Sequence, residues 1–584
     1  MESTSLRTKL CSNINIEDKA VSLCGWVQTI RDHGKLYFLE VRDYSGFIQV
    51  VVNLDNLESE LINKVKSLKK EYCVLVKGIV KKRDEDLINN KIKTGTIEVV
   101  LEDLEILGES KQIPFEINED TKVSDELILK YRYLYLRRNE AQNRLRLRSK
   151  AALKVRNFLT EDGFIEIETP FLIKSTPEGA RDFVVPSRVN KGKFYALPQS
   201  PQLYKQILMV SNFDRYFQFA KCFRDEDLRT DRQPEFTQLD IEMSFIDYKD
   251  IKRVVEGIVC EFCDVFGKEK PSKFDIINYY DALDKYSTDR PDTRFDLFTH
   301  NISTLFEGSS FKTFSDLIKN KGIVKCIGFD KSLSRKEIDE YTEYCKLEGA
   351  KGLAYVKVIN GSFDSGISKF IDDKQRNEIL ERTKIKNGTI FFVGDKPDLC
   401  NDIISKLRVK LGYDLDLIDE SKLNFVWVVN FPLFVKTEDG GFEPSHHMFT
   451  MPKKEFLGEN EWKEPEKVLS EQYDLVLNGF EIAGGSIRCH RKDLQSKIMN
   501  VVGFPLEKAK ERFGFLLDAL DYGAPPHGGI AFGFDRVVAL LTGTKDIRET
   551  MAFPKNKKAQ NPMDNSPSAV DKEQLSELGL KLEK

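Results

Sequence analysis

Two alternating strand patterns separated by a charged loop, between Phe217 and Phe245, constrain this chain more than any other part of it. Side chains on a strand point to alternate faces. From Phe217 to Arg224, Phe217, Phe219 and Phe223 therefore share one face, and Gln218, Ala220, Cys222 and Arg224 the other. From Phe236 to Phe245, Leu239, Ile241, Met243 and Phe245 form a core face opposite Phe236, Gln238, Asp240 and Glu242. Such a pair must lay its apolar side on a core, leaving a rigid floor of arginine, glutamine and acids. A merely solvated sheet has a similar pattern, but Arg224 and Phe236 beside small residues favour a pocket.

A second pattern runs from Tyr473 to Arg488. Asn478-Gly479 is a strong two-residue hairpin signal. Pairing outward from it sets Leu477 against Phe480, Val476 against Glu481 and Asp474 against Ala483. Asp474 and Glu481 become diagonal neighbours on one face, roughly 7–8 Å apart. Two such carboxylates suit a magnesium ion shared with phosphate oxygens. Strict alternation sends Arg488 to the other face, and a bulge at Gly484-Gly485 would bring it back. A third pattern, Gly528 to Thr542, places Gly528, Gly529 and Gly533 before Asp535, Arg536 and an apolar run. Glycines there allow close backbone approach, and an arginine at a helix start suits a phosphate. The glycine-lysine phosphate loop of P-loop enzymes does not occur.

The 584 residues leave room for three or four domains. The first hundred alternate like five short strands (Val21 to Val27, Leu36 to Arg42, Phe47 to Val52, Tyr72 to Val80, Thr96 to Leu101), with a helical stretch near Leu57 to Leu68. That suggests a small Greek-key barrel of the OB type, either purely structural or a stacking platform for single-stranded nucleic acid. Pro114 to Asp125 reads as a linker. Between Lys130 and Arg156, ten basic residues face one acid on a helical pattern, which leans toward RNA phosphate or a partner subunit. The formal net charge of −4 supplies no global basic field, so any nucleic-acid binding has to be local.

No apolar run is long enough for a membrane span, and the N-terminus has neither a secretory nor an Arg-rich transit pattern, so a cytoplasmic protein is expected. The cysteines are scattered as reduced thiols would be. Cys260 and Cys263 lie among Val254, Val255, Ile258, Phe262 and Val265 at helical spacing, which reads as packed thiols rather than a metal site. The Lys- and Glu-rich last thirty residues read as a largely mobile tail.

The three patterns, in this order, resemble the signature motifs of class II aminoacyl-tRNA synthetases. The segments TPEGARDF (Thr176 to Phe183), SPQLYKQ (Ser200 to Gln206), FRDEDLRTDRQPEFTQLD (Phe223 to Asp240) and GFDR (Gly533 to Arg536) are similar to those of the bacterial-type aspartyl-tRNA synthetases. The likeness spans nearly the whole chain. It implies a multidomain α/β protein: an N-terminal OB-fold β-barrel, a class II antiparallel-sheet catalytic core with helices, and an inserted α+β domain. The expected division is an anticodon-binding barrel at 1–108, a hinge at 109–140, catalytic core at 141–284, a GAD-type insert at 285–422, catalytic core again at 423–556 and an extension at 557–584.

That family joins L-aspartate to ATP, releases pyrophosphate, and transfers the aspartyl group to the 3′ end of tRNA(Asp). The resemblance implies that Arg224 binds the α-phosphate and the substrate α-carboxylate, Glu226 reads the adenine amino group, Phe236 stacks on adenine, and Arg536 covers its other face and meets the γ-phosphate. Arg224, Glu226 and Arg536 are thus the expected catalytic residues. Asp225, Gln233, Glu481, Gly533, Phe534 and Asp535 complete the ATP site, and Asp474 with Glu481 holds magnesium. Arg488, assisted by Lys205, is expected to clamp the aspartate side chain bidentately, an arrangement that asparagine would leave unpaired. Gln202 and Asp240 suit the ammonium, Glu178 and Ser200 a closing loop, and His446 and His447 a mobile ceiling.

In the barrel, Phe38 resembles the aromatic under an anticodon base, and Arg31 and Gln49 match positions that read base edges. Family members with a histidine at the position of His33 often accept tRNA(Asn) as well. A homodimer joined through about Leu147 to Pro170, with no membrane partner, is also implied. Two departures stand out: Met448 where the family usually has proline, and Ala483 where it has a third glycine. An enzyme for asparagine or lysine is the nearest rival reading. An RNA-binding paralogue without activity is disfavoured by the intact Arg224, Glu226, Glu481 and Arg536.

Overall fold

The computed structural model describes residues 3–118, 121–176, 180–458, 462–504 and 506–583. The chain divides into two compact units: Met1–Arg146 with Ala552–Pro567, and Leu147–Met551 with Ser568–Lys584.

In the first unit, strands Ala20–His33, Leu36–Asp43, Gly46–Asn53, Ile97–Gly108 and Cys73–Lys82 close, in that order around the wall, into a barrel. The alternation dictates this. Leu23, Val27, Leu39, Val41, Ile48, Val50 and Val76 are fully buried inside, and their neighbours face outward. A bulge between Val27 and Thr29 shifts the first strand's register against the second. The helix Ser59–Ser67 contributes Val65 to the same core.

The basic stretch that sequence pattern assigns to one amphipathic helix forms three, Asp125–Lys130, Arg132–Tyr135 and Asn139–Glu161. Its arginines are largely spent inside the protein rather than presented as a stripe. Arg137 pairs with Glu71 (2.6 Å) and stacks over Trp26, while Arg138 donates to the Glu116 and Thr121 carbonyls. In the second unit Arg156 pairs with Glu166 at 2.9 Å, and Lys154 with Glu261 at 3.2 Å.

The second unit is built on an eight-stranded sheet, in the order Asp275–Asn278, Phe425–Val429, Gln472–Leu477, Phe480–Ile487, His527–Gly533, Glu235–Ser244, Arg215–Phe223, Ile165–Glu166. Neighbours are antiparallel except at the two edges. One face buries Leu239, Ile241, Trp427, Leu475, Ile530 and Phe532. Against it pack helix Tyr248–Phe266, helix Phe534–Leu541 and the Ala151-Val155-Leu159 stripe of helix Asn139–Glu161. Cys263 lies inside this core. The other face carries the polar side chains, because every second residue of the central strands points there.

Between the strand Asp275–Asn278 and the strand Phe425–Val429, the chain builds a separate five-stranded sheet (Thr299–Asn301, Ile323–Phe329, Gly388–Asp395, Ala354–Ile359, Ser362–Asp364) with its own apolar cores. Near the C-terminus, Lys572–Leu578 form a helix closed by Gly579 at φ 69°. Among the described residues no helix is long and apolar enough to cross a membrane.

Candidate active site

The polar face of the large sheet is the floor of a cleft with two cavities. The inner one, about 330 Å³, is lined by Ser200, Gln202, Lys205, Asp240, His446, His447 and Arg488 among others. The outer one, about 260 Å³, is lined by Asp231, Arg232, Gln233, Phe236, Arg290, Gly533 and Arg536 among others. Both share Arg224, Glu226, Gln238, Glu481 and Ala531. Two small compartments therefore meet at one arginine and one glutamate.

Arg224 ends the strand pattern that opens the site. Its guanidinium lies over the Phe236 ring, 5.0 Å from the centroid. Among the described residues no carboxylate pairs with it. The neighbouring cations are partnered: Arg232 with Glu226 at 2.9 Å, and Arg536 with Asp231 at 3.2 Å and with the Glu481 carbonyl at 2.7 Å. The Arg536 Nε is buried without a partner.

The hairpin Gln472–Leu477 and Phe480–Ile487 delivers the acids. A bulge is present, but it falls between the Leu475–Ala483 and Val476–Glu481 pairs rather than at Gly484-Gly485. Asp474 consequently faces Gly484, and Ala483 faces Leu475, so the pairing of Asp474 with Ala483 is corrected. The extra residue, Ile482, turns Glu481, Gly484, Ser486 and Arg488 toward the same face. The two carboxylates converge over Gly484. A Cβ there would lie 2.9 Å from Asp474 Oδ1 and 3.2 Å from Glu481 Oε1. Burial first, and the Glu481 charge second, hold the Asp474 carboxyl well above the usual carboxylate range. A pocket that only the absence of a side chain keeps open, flanked by two acids with no cation between them, fits a small divalent ion.

The inner cavity is different, because its charges are already paired. Arg488, 1% exposed, donates from Nε and Nη2 to the two oxygens of Glu242, at 2.9 and 3.2 Å. Lys205 Nζ lies 2.9 Å from Asp240 Oδ1 and 3.4 Å from Glu242 Oε2. Burial alone would lift Glu242, but the Arg488 and Lys205 charges outweigh it and hold its carboxyl below the ordinary range. Burial dominates at Asp240, whose carboxyl is raised. Arg488 and Lys205 do stand together in this cavity, but the Nε–Nη2 edge of the guanidinium is occupied by Glu242, a partner the expectation did not include.

Glu242 reaches Arg488 across the strand His527–Gly533. It pairs with Gly529, which pairs in turn with Ser486. A Cβ on Gly529 would sit 1.9 Å from Glu242 Oε2, so glycine alone permits the crossing. Sequence reasoning placed Glu242 on the polar face but gave it no role, since its partner lies two strands away.

Arg488 Nη1 donates to Ser486 Oγ at 2.9 Å and approaches His447 Nε2 at 2.7 Å. Burial, then the charges of His446, Arg488 and Lys205, hold His447 well below the usual histidine range, so the ring is neutral. The Phe449 amide donates to Nδ1 at 3.2 Å, while Arg488 Nη1 faces Nε2. A neutral imidazole accepts at only one of its two nitrogens, so the ring satisfies one neighbour at the expense of the other. Two further polar atoms of the cavity are buried and unpartnered: Asp240 Oδ2 and Gln202 Nε2.

Several expected residues lie elsewhere. Phe534 is fully buried and packs at 5.0 Å on Phe219 in the core, pointing away from the cleft. Asp535 borders the outer cavity, but its oxygens are committed to Arg148 Nη2 (2.7 Å) and the Thr237 amide (2.6 Å). Asp225 pairs loosely with Arg181 at 3.7 Å and lines neither cavity. Glu178 lies outside the described residues. Met448 packs partly buried between two apolar clusters, and its carbonyl accepts from Gln495 Nε2 at 2.7 Å. In the barrel, Arg31, His33, Phe38 and Gln49 share one outer patch: His33 packs edge-on against Phe38 at 5.6 Å, and Arg31 donates to Gln49 Oε1 at 3.1 Å.

The model for tRNA synthetases class II (D, K and N) matches residues 124–557, and that for the OB-fold nucleic acid binding domain matches residues 21–107. The chain is a class II tRNA synthetase of the D, K and N group. It is 48% identical to the aspartate–tRNA(Asp/Asn) ligase of Hydrogenobaculum sp. over 97% of each chain. It is 47% identical to the aspartate–tRNA ligase of Staphylococcus saprophyticus over 99% of this chain and 100% of that one. The crystal structure of asparaginyl-tRNA synthetase from Pyrococcus horikoshii complexed with asparaginyl-adenylate shares the fold at a TM-score of 0.59 and 21% identity, covering 94% and 98% of the two chains.

Proposed function

We propose that this synthetase activates L-aspartate with ATP and transfers it to tRNA(Asp). The supporting observation is the meeting of the two cavities at Arg224, the guanidinium that no carboxylate among the described residues claims. An amino acid in the inner cavity and a nucleotide in the outer one would bring carboxylate and α-phosphate together beside that cation. The oxygen of the carboxylate forms its bond to α-phosphorus as the bridge to pyrophosphate breaks. Arg224 orients both groups and shields their mutual repulsion. Magnesium bound by Asp474 and Glu481 would neutralise phosphate charge. Phe236 offers a face for the base, and Arg536 closes the far side.

Selection of the side chain follows from the paired charges. Aspartate's carboxylate takes the place of His447 on Arg488, whose Glu242 bond persists, while Asp240 Oδ2 and Gln202 at the same cavity receive the α-ammonium and its surroundings. A carboxylate answers the Arg488 charge better than a neutral ring does, whereas asparagine would set its amide donors against the Arg488 and Lys205 donors. Exchange of labelled pyrophosphate into ATP, driven by aspartate, asparagine or lysine in turn, tests the reading. Activity with aspartate alone is expected; stronger exchange with asparagine or lysine overturns it.

Acceptance of tRNA(Asn) besides tRNA(Asp) is a second reading, favoured by His33 against Phe38 and by the name of the Hydrogenobaculum relative. Charging of the two purified tRNAs decides it, and an absent asparagine-tRNA product ends it. We further infer a cytoplasmic homodimer. Exposed Leu153, Ile165, Phe171 and Leu172 offer apolar surface for it. Light scattering should give twice the chain mass.

A further inference from the structure

Two walls of the outer cavity grow from elements that separate at Gly533. The strand Glu235–Ser244 pairs with the strand His527–Gly533 from Ser244 against His527 to Gln238 against Gly533. Beyond that pair the second strand gives way to the helix Phe534–Leu541, so the ladder offers Thr237 no strand residue on that side. A buried amide left there needs another acceptor. Asp535 supplies it, with Oδ2 accepting from the Thr237 amide at 2.6 Å.

An acid in the first turn of a helix ordinarily serves that helix's own free amides. Asp535 reaches across to the neighbouring strand instead, and a cation from a third element steadies it. Arg148 Nη2, on the helix Asn139–Glu161, donates to Asp535 Oδ1 at 2.7 Å and to Thr237 Oγ1 at 3.0 Å. The same guanidinium lies over the Phe534 ring, 4.8 Å from its centroid. Asp535 and Thr237 are both buried.

The position of this network is the informative part. Phe236 directly precedes Thr237, Arg536 directly follows Asp535, and both side chains line the outer cavity. One hydrogen bond therefore joins the roots of the two groups that would lie on opposite faces of adenine. The tip of Arg536 is held separately, by the Glu481 carbonyl and Asp231.

We propose that Asp535, steadied by Arg148, is the strut that sets the spacing of Phe236 and Arg536 and so the width of the adenine slot. It is a positioning residue and touches no substrate. A short charge-assisted bond between a strand and a helix start keeps the slot formed before the base enters, which spares ATP the cost of ordering it. The proposal rests on reading the outer cavity as the nucleotide site.

The test is pyrophosphate exchange with Asp535→Ala, Asp535→Asn and Arg148→Gln, with ATP, pyrophosphate and aspartate varied separately below each variant's melting midpoint. Pyrophosphate and aspartate carry no base, so the ATP KM alone should respond. It should rise about tenfold for Asp535→Ala and by a smaller factor for Arg148→Gln. Asp535→Asn keeps one oxygen for the Thr237 amide and should fall between the parent and Asp535→Ala. An unchanged ATP KM in Asp535→Ala overturns the proposal, even with a lowered melting midpoint. So does an equal rise for all three substrates, or an Asp535→Asn variant no better than Asp535→Ala. Should Asp535→Ala not fold, Arg148→Gln decides: a rise confined to ATP supports the strut, and any other result overturns it. A parent enzyme that shows no amino-acid-driven exchange would instead remove the nucleotide reading, and this proposal with it.

Discussion

The two halves of the cleft handle charge in opposite ways. In the inner cavity, two cations and two acids, all about 1% exposed or less, neutralise one another. At the outer cavity and its neighbouring hairpin, among the described residues, Arg224 has no acid partner, Arg290 has only the adjacent Asp289 at 3.4 Å, and no side-chain cation stands between Asp474 and Glu481. The first half can bury its charges because they are paired, and a removed partner there leaves an uncompensated ion in the core. The second half stays open to solvent and stores its imbalance for phosphate and metal. Specificity and chemistry thus sit on different physical footings within a few strands of each other.

The contrast can be broken from the nucleotide side first. Arg224→Ala removes a group with no side-chain partner beyond the Phe236 ring among the described residues, so kcat/KM for exchange should fall about 10²- to 10³-fold. A loss under tenfold would show that the guanidinium is a bystander. Gly484→Ala places a methyl group 2.9 Å from Asp474 Oδ1. Magnesium affinity, read from the metal dependence of exchange, should weaken about tenfold to hundredfold. An unaltered metal dependence would move the ion elsewhere.

Phe38→Ala tests the separation of barrel from cleft. Loss of one stacking platform should weaken tRNA(Asp) binding by about 1 kcal/mol and leave pyrophosphate exchange unaltered. The smallest effect is a slope. Asp474 titrates near ~3.9 when unfolded and well above that when folded, so the unfolded chain releases its proton first. Without metal, stability is greatest below that unfolded value and declines as pH rises toward the folded one. Asp474→Asn should flatten the decline, and magnesium should flatten it in the parent protein. Stability that rises across this range because of Asp474 would reverse the assignment.

The strand alternation at Phe217 to Phe245 and the Asn478-Gly479 turn made the floor of the site legible, because period and turn chemistry are local properties. The bulge was legible as a need and not as a position: Arg488 had to return to the cleft face, but only the packed hairpin decides that Ile482 is the extra residue. Phe534 was misread because its motif neighbours, Gly533 and Arg536, do face the cleft, while helical geometry turns the residue between them into the core. The fate of the basic run was not legible from the run itself, since Glu71, Glu166 and Glu261, which pair with three of its cations, lie outside it. The Glu242–Arg488 pair was hidden by both distance in sequence and an intervening glycine whose meaning is spatial.

Thermal unfolding of Arg488→Ala and Arg224→Ala, measured side by side, tests the contrast between paired and waiting charge most directly. Arg488→Ala should cost about 3–5 kcal/mol, because Glu242 stays buried with only Lys205 at 3.4 Å, and its midpoint should fall by several degrees. Arg224→Ala should melt with the parent protein. Equal shifts in the two variants, or a larger one for Arg224→Ala, would contradict the account.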